Sequence, residues 1–324
     1  MSPTVDPAIT TALHLDSSTA KMHPHGHSTF SSTFKLTGTT TTPPGLLATF
    51  FIKTGTGPAA ETMFRGEFHS LLSLSPFHLA PHPHFHGPLS RDPQTFFLAT
   101  SFLDLSPSAP GPGVSLARKL ANLHTTPAPL PPGGDTTPMF GFPVPTCCGA
   151  TVQDNTFRAS WAEFFAQQRL LAALRAGVRE NGADRELEGT VGEVVRVVVP
   201  RLLSEEYLAG VRPVVVHGDL WGGNCGRTRG GEGEEVVFDP AGYEVGMMRM
   251  FGGFGREFWD EYERLVRRAE PMEDWKGRVK LYELYHHLNH WVLFGGGYRG
   301  GAMRIMKELI AEYGGGSDVQ GDRA

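Results

Sequence analysis

The stretch VVVHGDLWGGN, residues 214–224, decides the fold class of this chain. An apolar run leads into His217, Asp219 follows two positions later, and Asn224 lies five positions beyond the aspartate. A second apolar run, at residues 236–238, is followed by Asp239. We expect both apolar runs to be strands, so that each delivers a carboxylate close to its end.

This spacing, H-x-D-x-x-x-x-N followed by a further aspartate, is that of a kinase catalytic loop and its metal-binding carboxylate. We expect Asp219 to accept the proton of an attacking hydroxyl. Asn224 and Asp239 are expected to offer oxygen ligands to Mg²⁺, a hard cation that prefers them. His217 is expected to brace the loop by hydrogen bonding. A His-Gly-Asp string alone predicts an ordinary turn, but the later Asn and Asp favour the catalytic interpretation.

A lysine and a glutamate upstream fit the same chemistry. Lys53 closes an apolar run that predicts a strand. Glu67 lies on a predicted helix: Pro58 fits its first turn, and residues 61–74 show a roughly helical period. A Lys–Glu ion pair between strand and helix can aim the ammonium at the α- and β-phosphates of a nucleotide. The pairing gains weight from the catalytic loop that follows it in the chain.

A loop of small residues precedes this region. Gly26, Ser28 and Thr29 lie just before the hairpin whose second strand ends in Lys53. Backbone N–H and hydroxyl groups in such a loop can cover phosphates. We therefore expect these three residues to contact the nucleotide.

Composition excludes several classes of protein. The 324 residues carry a net charge of −5, which gives no reason to expect a nucleic-acid partner. No apolar run is long enough to cross a membrane, and the N-terminus does not read as a signal peptide. Three cysteines are too few and too irregular for a disulfide framework. We expect a cytoplasmic protein with reduced thiols.

The pattern along the chain predicts an α+β protein of two lobes. Strand patterns dominate residues 1–104, which we take as an N-lobe holding the phosphate loop, the Lys53 strand, the Glu67 helix and the hinge. Helical patterns dominate residues 105–313, the C-lobe with the catalytic loop and the metal-binding Asp. Residues 314–324 are expected to be a disordered tail.

With these residues assembled, the chain resembles the fructosamine kinases, or ketosamine-3-kinases, and the fungal-type protein-ribulosamine 3-kinases in particular. The resemblance extends over nearly the whole chain. It rests on the strings HGDLWGGN (217–224), FDP (238–240), MRMFGGF (248–254), LYELYHHLNH (281–290), LFGGGY (293–298), FGF (140–142), QDNT (153–156) and WAEFF (161–165).

The resemblance implies a protein-kinase-like bilobal fold with a small β-rich N-lobe and a larger helical C-lobe. It implies transfer of the ATP γ-phosphate, with Mg²⁺, to the C3 hydroxyl of a ribulosamine or fructosamine on a glycated lysine. The product releases the free amine, so the partners are glycated proteins or small ketosamines. By resemblance, Ser101, Phe102 and Leu103 form the adenine-contacting hinge. Trp221 packs against the sugar, and His217 lies with it among the substrate residues.

Two alternatives remain open at this point. Family members carry a longer segment after the string Phe-Asp-Pro-Ala than this chain has beyond Ala241, which allows a nucleotide-binding pseudokinase of the same fold. The His-Gly-Asp form is shared with aminoglycoside and choline kinases, which allows a small-molecule kinase. An acidic surface for a cationic substrate is not evident in the sequence, so the latter ranks last.

Overall fold

The computed structural model describes residues 4–105, 113–133, 136–208, 210–229, 233–240 and 244–315. The chain forms two compact units: Met1–Asn122 with Gly223–Ala241, and Leu123–Gly222 with Gly242–Ala324. The lobe boundary at residue 104 stays a prediction. Most of the tail expected at residues 314–324 lies outside the described residues, as do the positions just beyond Ala241 where the segment is short.

The first unit is built on a sheet of five antiparallel strands in the order β1-β2-β3-β5-β4. The strands are β1 (Lys21–Pro24), β2 (Ser32–Thr41), β3 (Pro44–Thr56), β4 (Pro83–Pro88) and β5 (Thr95–Ser101). The hairpin predicted from alternating residues is confirmed as β2 and β3, which pair from Ser32↔Thr54 onward. Both strands run longer than their sequence patterns indicate.

Each face of this sheet is covered by a different helix. On one face, Ile52 and Phe97 pack with Ile9 of helix α1 (Pro7–Ala12). On the other face, Leu98 packs with Phe64 of helix α2 (Pro58–Leu74). Because successive strand residues point to opposite faces, Lys53, the neighbour of Ile52, is directed to the α2 face.

Helix α2 begins where the sequence predicts. Gly57 adopts φ 86 at the N-cap, a conformation that suits glycine, and Pro58 occupies the first turn, where a missing N–H costs nothing. Phe64, Leu71 and Leu74 are buried at intervals of seven and three residues along one face. This face also contains the position of Glu67.

The second unit is mainly helical. Helix α3 (Leu116–Thr125) contains the division of the chain after Asn122. The helices of the second unit are α4 (Trp161–Phe165), α5 (Leu171–Asn181), α6 (Arg185–Glu193), α7 (Val199–Leu203), α8 (Glu244–Phe251), α9 (Arg256–Leu265), α10 (Trp275–Phe294) and α11 (Gly297–Tyr313). Wider helical turns at Ala166–Leu170 and Val194–Val198 join α4 to α5 and α6 to α7. The core between them is apolar, with Phe165, Leu202 and Leu288 all fully buried. A sheet followed by helices confirms the predicted α+β class.

Two short hairpins complete the described structure. Strands β6 (Thr146–Cys148) and β7 (Thr151–Gln153) pair in the second unit, and β8 (Cys225–Arg227) and β9 (Glu235–Val237) pair in the first. The prediction of a strand at residues 214–216 was wrong, because the described structure has only an isolated bridge there, between Val214 and Pro127. Val215 and Val216 are half-buried, and no bridge to another strand is found for them among the described residues.

Among the described residues, no helix is both long and apolar enough to cross a membrane. Cys147, Cys148 and Cys225 are all free thiols.

Candidate active site

One group of candidate residues is a buried cluster in the first unit around Lys53. Strand β3 places Lys53 directly opposite Leu98 of β5, and Leu98 packs against Phe64 of α2. Glu67 lies three residues after Phe64, so it shares the helix face that meets the sheet. Ordinary strand alternation and helical spacing are therefore sufficient to bring the lysine and the glutamate together.

The contacts of Lys53 are direct. Its Nζ donates to Glu67 Oε1 at 2.8 Å and to Glu67 Oε2 at 3.0 Å. It also donates to Oδ1 of Asp239. The Lys53 side chain is 10% exposed and that of Asp239 is 47% exposed. One ammonium thus joins a buried carboxylate to a carboxylate that solvent or a ligand can reach.

The electrostatics of this cluster follow from two carboxylates sharing one cation. Burial by itself lowers the pKa of Lys53, but the charges of Glu67 and Asp239 outweigh burial and raise that pKa above its ordinary value. Burial raises the pKa of Glu67, with Lys53 opposing the rise and Asp239 adding to it. Lys53 is therefore a cation at neutral pH, and it lies between two carboxyl groups of unequal exposure.

The two residues expected to hold Mg²⁺ lie at adjoining ends of the β8–β9 hairpin. The N–H of Phe238 donates to the carbonyl of Asn224 at 3.1 Å, which holds the residue before Asp239 against Asn224. Asp239 itself has φ 59, a left-handed conformation that is uncommon for a residue other than glycine. Carboxylate and amide oxygens are donors that suit Mg²⁺, so the residue types at these two positions fit that ion. Nowhere among the described residues do three His, Cys, Asp or Glu side chains gather closely enough to hold a metal ion.

The predicted phosphate loop and hinge both lie in the first unit. Gly26, with φ 76, opens the exposed loop between β1 and β2 that contains Ser28 and Thr29. Ser28 Oγ accepts from the N–H of Phe30 at 3.3 Å. The loop is thus a short connection between paired strands, where its backbone and hydroxyl groups face outward.

The hinge residues follow the end of β5. The Ser101 N–H donates to His82 O at 2.9 Å, and the Phe102 N–H lies 3.4 Å from Thr49 O. The Phe102 ring makes an edge-to-face contact with the ring of His25, the residue before Gly26, with ring centroids 5.1 Å apart. Leu103 comes next and is half-buried. One ring contact therefore connects the start of the phosphate loop to the hinge.

His217, Asp219 and Trp221 of the predicted catalytic loop lie in the second unit. His217 is 1% exposed, and its Nδ1 accepts the backbone N–H of Asp219 at 3.3 Å. Gly218 between them has φ 86, so the turn needs glycine at this position. The histidine therefore contacts the loop as a brace, in the manner that the sequence predicts, while its place among the substrate residues stays a prediction.

Trp221 lies on an exposed aromatic surface. It is 38% exposed, and its ring centroid lies 5.9 Å from that of Phe251, which in turn lies 5.2 Å from His290. The next residue, Gly222, donates its N–H to Gly252 O at 3.1 Å. The glycine pair in the string MRMFGGF thus supports the loop, and the phenylalanine before it extends the aromatic surface.

A buried polar network beside the catalytic loop was not predicted as part of the site. Gln153 accepts from Thr146 Oγ1 at 2.7 Å and donates to the Tyr285 hydroxyl at 2.6 Å. Burial raises the pKa of the Cys148 thiol, and the Asp219 carboxylate raises it further, so this neutral thiol lies within electrostatic reach of Asp219. The strings QDNT and LYELYHHLNH contain two of these residues, but only the fold brings them together.

Known proteins resemble this chain over most of its length. A profile of the fructosamine kinase family matches residues 40–312. A ketosamine-3-kinase of Mus musculus is 36% identical over 177 residues, which cover 53% of this chain and 54% of the mouse protein. A chloroplastic protein-ribulosamine 3-kinase of Arabidopsis thaliana is 33% identical over 270 residues, which cover 81% of this chain and 76% of the plant protein. The match therefore spans about half of the mouse protein and most of the plant protein.

Solved structures agree on the fold. A Thermobifida fusca protein that carries a fructosamine-3-kinase assignment superposes with a TM-score of 0.69 at 26% identity, covering 95% of this chain and 98% of that one. An aminoglycoside phosphotransferase, APH(4)-Ia, in complex with AMP-PNP and hygromycin B, superposes with a TM-score of 0.54 at 13% identity, covering 97% and 100%. The second likeness concerns the fold alone, which is kinase-like. The fold and the family profile together show that this chain belongs to the fructosamine kinase family.

Proposed function

We propose that this chain is an ATP-dependent kinase that phosphorylates the C3 hydroxyl of ribulosamines and fructosamines on glycated lysines, which leads to deglycation. The observation that carries the proposal is the cluster of Lys53, Glu67 and Asp239, a cation held by two carboxylates of unequal exposure. Family membership and the names of the mouse and Arabidopsis relatives support ketosamines as the substrate class.

The first unit would bind the nucleotide. Lys53, fixed by Glu67, would meet the α- and β-phosphates, and the loop of Gly26, Ser28 and Thr29 would cover them. The hinge from Ser101 through Phe102 to Leu103 would contact adenine. Mg·ATP, when bound, supplies the γ-phosphoryl group and the charge that neutralises its oxygens.

Asn224 and Asp239 would hold Mg²⁺ through oxygen atoms. For Asp239, this role requires that its carboxylate leave or share its contact with Lys53. A side chain that is 47% exposed can do so with little loss of packing. We therefore infer that the Lys53–Asp239 contact is the part of the cluster that changes when the nucleotide arrives.

Asp219 would act on the sugar. The C3 hydroxyl would transfer its proton to the Asp219 carboxylate while its oxygen forms a bond to the γ-phosphorus and the bond to the β-phosphate oxygen breaks, releasing ADP. Trp221, exposed two residues later, would pack against the sugar. His217 keeps Asp219 in place through its backbone N–H.

The test is phosphate transfer to defined substrates. Peptides carrying ribulosyl-lysine or fructosyl-lysine, a matched unmodified peptide, choline and hygromycin B would each be incubated with the protein, ATP and Mg²⁺. We expect phosphorus NMR to detect a sugar 3-phosphate only with the ketosamine peptides, followed by release of free lysine. Binding of ATP without transfer to any substrate would instead support the pseudokinase alternative, and transfer to choline or hygromycin B the small-molecule alternative.

A single substitution tests the proton acceptor. Asp219→Asn keeps the shape of the side chain and removes its basicity, so turnover should fall by about 10²–10⁴. The affinity for ATP, measured by calorimetry, should stay within about twofold because the base is needed for transfer rather than for nucleotide binding. Equal turnover in the variant and the wild type would remove Asp219 from the mechanism.

A further inference from the structure

Lys119 is a buried cation in the first unit to which the proposed mechanism assigns no role. It lies on α3 and is 7% exposed. Its Nζ donates to His78 O at 2.9 Å, to Glu235 O at 3.0 Å and to Glu234 Oε2 at 3.1 Å. An ammonium has three N–H donors, so these three acceptors use all of them. A buried charge with complete hydrogen bonding is a built feature of the fold rather than a stray surface lysine.

The acceptors lie in or next to the two stretches of chain that carry the Lys53 carboxylates. His78 ends the short turn that follows α2, the helix of Glu67, and it adopts φ 51. Glu234 and Glu235 lead into and begin β9, the strand that is followed by Asp239. Lys119 therefore joins the end of the Glu67 helix to the start of the Asp239 strand.

Further hydrogen bonds tighten the same junction. Leu79, the residue after His78, accepts the N–H of Val237 at 2.7 Å. The Glu235 carboxylate accepts the N–H of Leu116 at 2.6 Å and the guanidinium of Arg227 at 2.8 Å. Strand β9 is thus held by α3 on its first residue and by the α2 connection on its last, two residues before Asp239.

We propose that Lys119 is a positioning residue, which sets the Asp239 carboxylate relative to the Lys53–Glu67 pair by holding β9 to the end of α2. This inference rests on the proposed function, in which Asp239 binds Mg²⁺. Lys119 contacts neither Lys53 nor Asp239 through any hydrogen bond of the described residues, so its effect passes through β9. A shift of that strand displaces the metal ligand and leaves the sugar-binding residues unchanged.

This role differs in its consequences from simple stabilisation. A lysine that only stabilises the fold changes the melting temperature and the fraction of folded enzyme, but not the Mg²⁺ dependence of the folded fraction. A lysine that positions Asp239 changes the Mg²⁺ concentration for half-maximal activity and the affinity for Mg·ATP. The KM for the ketosamine should stay constant in both cases.

Three variants separate these possibilities. Lys119→Met removes the ammonium and keeps an unbranched side chain of similar length. Glu234→Gln removes one charged acceptor and keeps both backbone acceptors, so it is the milder change and preserves folding. Lys280→Met is the matched control, since Lys280 pairs with Glu308 on the surface of the second unit at 2.8 Å with 40% of its side chain exposed.

The measurements are the Kd of Mg·ATP by calorimetry, the Mg²⁺ titration of turnover, and amide hydrogen exchange of residues 233–240. We expect Lys119→Met to weaken Mg·ATP binding and to raise the half-saturating Mg²⁺ concentration, each by about tenfold, because charge-assisted hydrogen bonds are lost at the junction. Exchange at Val237 and Phe238 should accelerate by a similar factor. Glu234→Gln should shift the same quantities by about two- to threefold, and Lys280→Met should shift none of them.

Two results would overturn the proposal. One is a folded Lys119→Met variant with wild-type Mg·ATP affinity, Mg²⁺ dependence and exchange at β9, whatever its melting temperature. The other, should Lys119→Met fail to fold, is a Glu234→Gln variant with wild-type values throughout. Failure of the proposed function gives a different result: the wild-type protein transfers no phosphate to ketosamines. In that event, nucleotide binding and hydrogen exchange still decide the role of Lys119.

Discussion

Lys53 and Arg169 are both buried cations, yet they are held in different ways. Lys53, in the first unit, pairs with the carboxylates of Glu67 and Asp239. Arg169, in the second unit, is 4% exposed and donates to amide oxygens: the carbonyls of Asp154 and Gln168, and Asn155 Oδ1 at 2.7 Å. The first cation meets charged side chains, and the second ties pieces of backbone together.

The difference indicates which buried cation can change its hydrogen-bond partners when a ligand binds. A carboxylate that is half-exposed, as Asp239 is, can exchange its ammonium partner for a metal ion without opening the core. The bonds of Arg169 fix the main chain before α4 and inside the following helix, so they cannot be exchanged without local unfolding. We therefore expect substitution of Lys53 to affect activity first and substitution of Arg169 to affect stability first.

The largest effect should come from Lys53→Met. Loss of a preorganised cation at the phosphates should lower turnover by about 10²–10³. Glu67 can take up a proton once its partner is gone, which limits the loss of stability. Steady-state kinetics and thermal melting would measure both quantities, with Lys21→Met on the exposed edge strand as control. A variant that unfolds while its folded fraction keeps normal turnover would contradict the comparison.

Arg169→Met should be the more destabilising of the two changes. Removing the guanidinium leaves buried oxygen atoms of Asp154, Asn155 and Gln168 without their donor, and the free energy of unfolding should fall by about 3 kcal/mol. Urea denaturation measures this directly. Arg175→Met, an exposed arginine close by in the same helical segment, should change it by less than about 0.5 kcal/mol. The KM for ATP should be unchanged in both variants.

A smaller effect is expected in the buried polar network of Thr146, Gln153 and Tyr285. Tyr285→Phe removes the hydroxyl that accepts from Gln153 Nε2, which should cost about 1–2 kcal/mol because the amide donor stays buried. A double-mutant cycle with Gln153→Leu should recover part of that cost, since the unpaired donor is then absent. Strictly additive losses in the double variant would show that the hydrogen bond contributes nothing of its own.

The smallest effect should come from a charge cluster at the surface. Asp184 caps α6, and a hydrogen bond from Arg299, followed by the Leu187 N–H, lowers the pKa of Asp184 from 3.8 to about 2. Because the folded pKa lies below the unfolded one, this stabilisation is present above about pH 4 and is lost as the pH falls towards 2. Arg299→Ala should therefore be destabilising at pH 7, and its deficit relative to wild type should shrink as unfolding is measured at progressively lower pH.

Much of the first unit could be predicted from local sequence. The alternation in β2, the apolar run in β3 and Pro58 at the start of α2 follow rules that operate over a few residues, so the Lys53–Glu67 pair could be anticipated. The strand expected at residues 214–216 could not be judged in the same way. Three valines favour a strand only when a neighbouring strand is available. Among the described residues, Val214 alone of the three forms a β-bridge, to Pro127.

The residues that sequence reasoning missed are those whose meaning depends on distant partners. Lys119 on an amphipathic helix is typical of a solvent-facing lysine, and only the fold shows that acceptors from residues 78 and 234–235 surround it. Gln153 and Tyr285 are 132 positions apart in the chain. Polar residues of this kind carry no periodic signal, because the hydrophobic pattern specifies where a helix is buried but not which polar groups will meet there.

The contact between Gly222 and Gly253 has a consequence for how this chain can vary. A Cβ on Gly253 would lie 2.5 Å from the Cα of Gly222, and one on Gly222 would lie 3.0 Å from the Cα of Gly253. Gly253 also has φ 98, which side chains rarely adopt. The two positions are therefore constrained together, because neither can acquire a side chain while the backbone beside Trp221 keeps its path. A redesign of the aromatic surface has to leave both glycines unchanged.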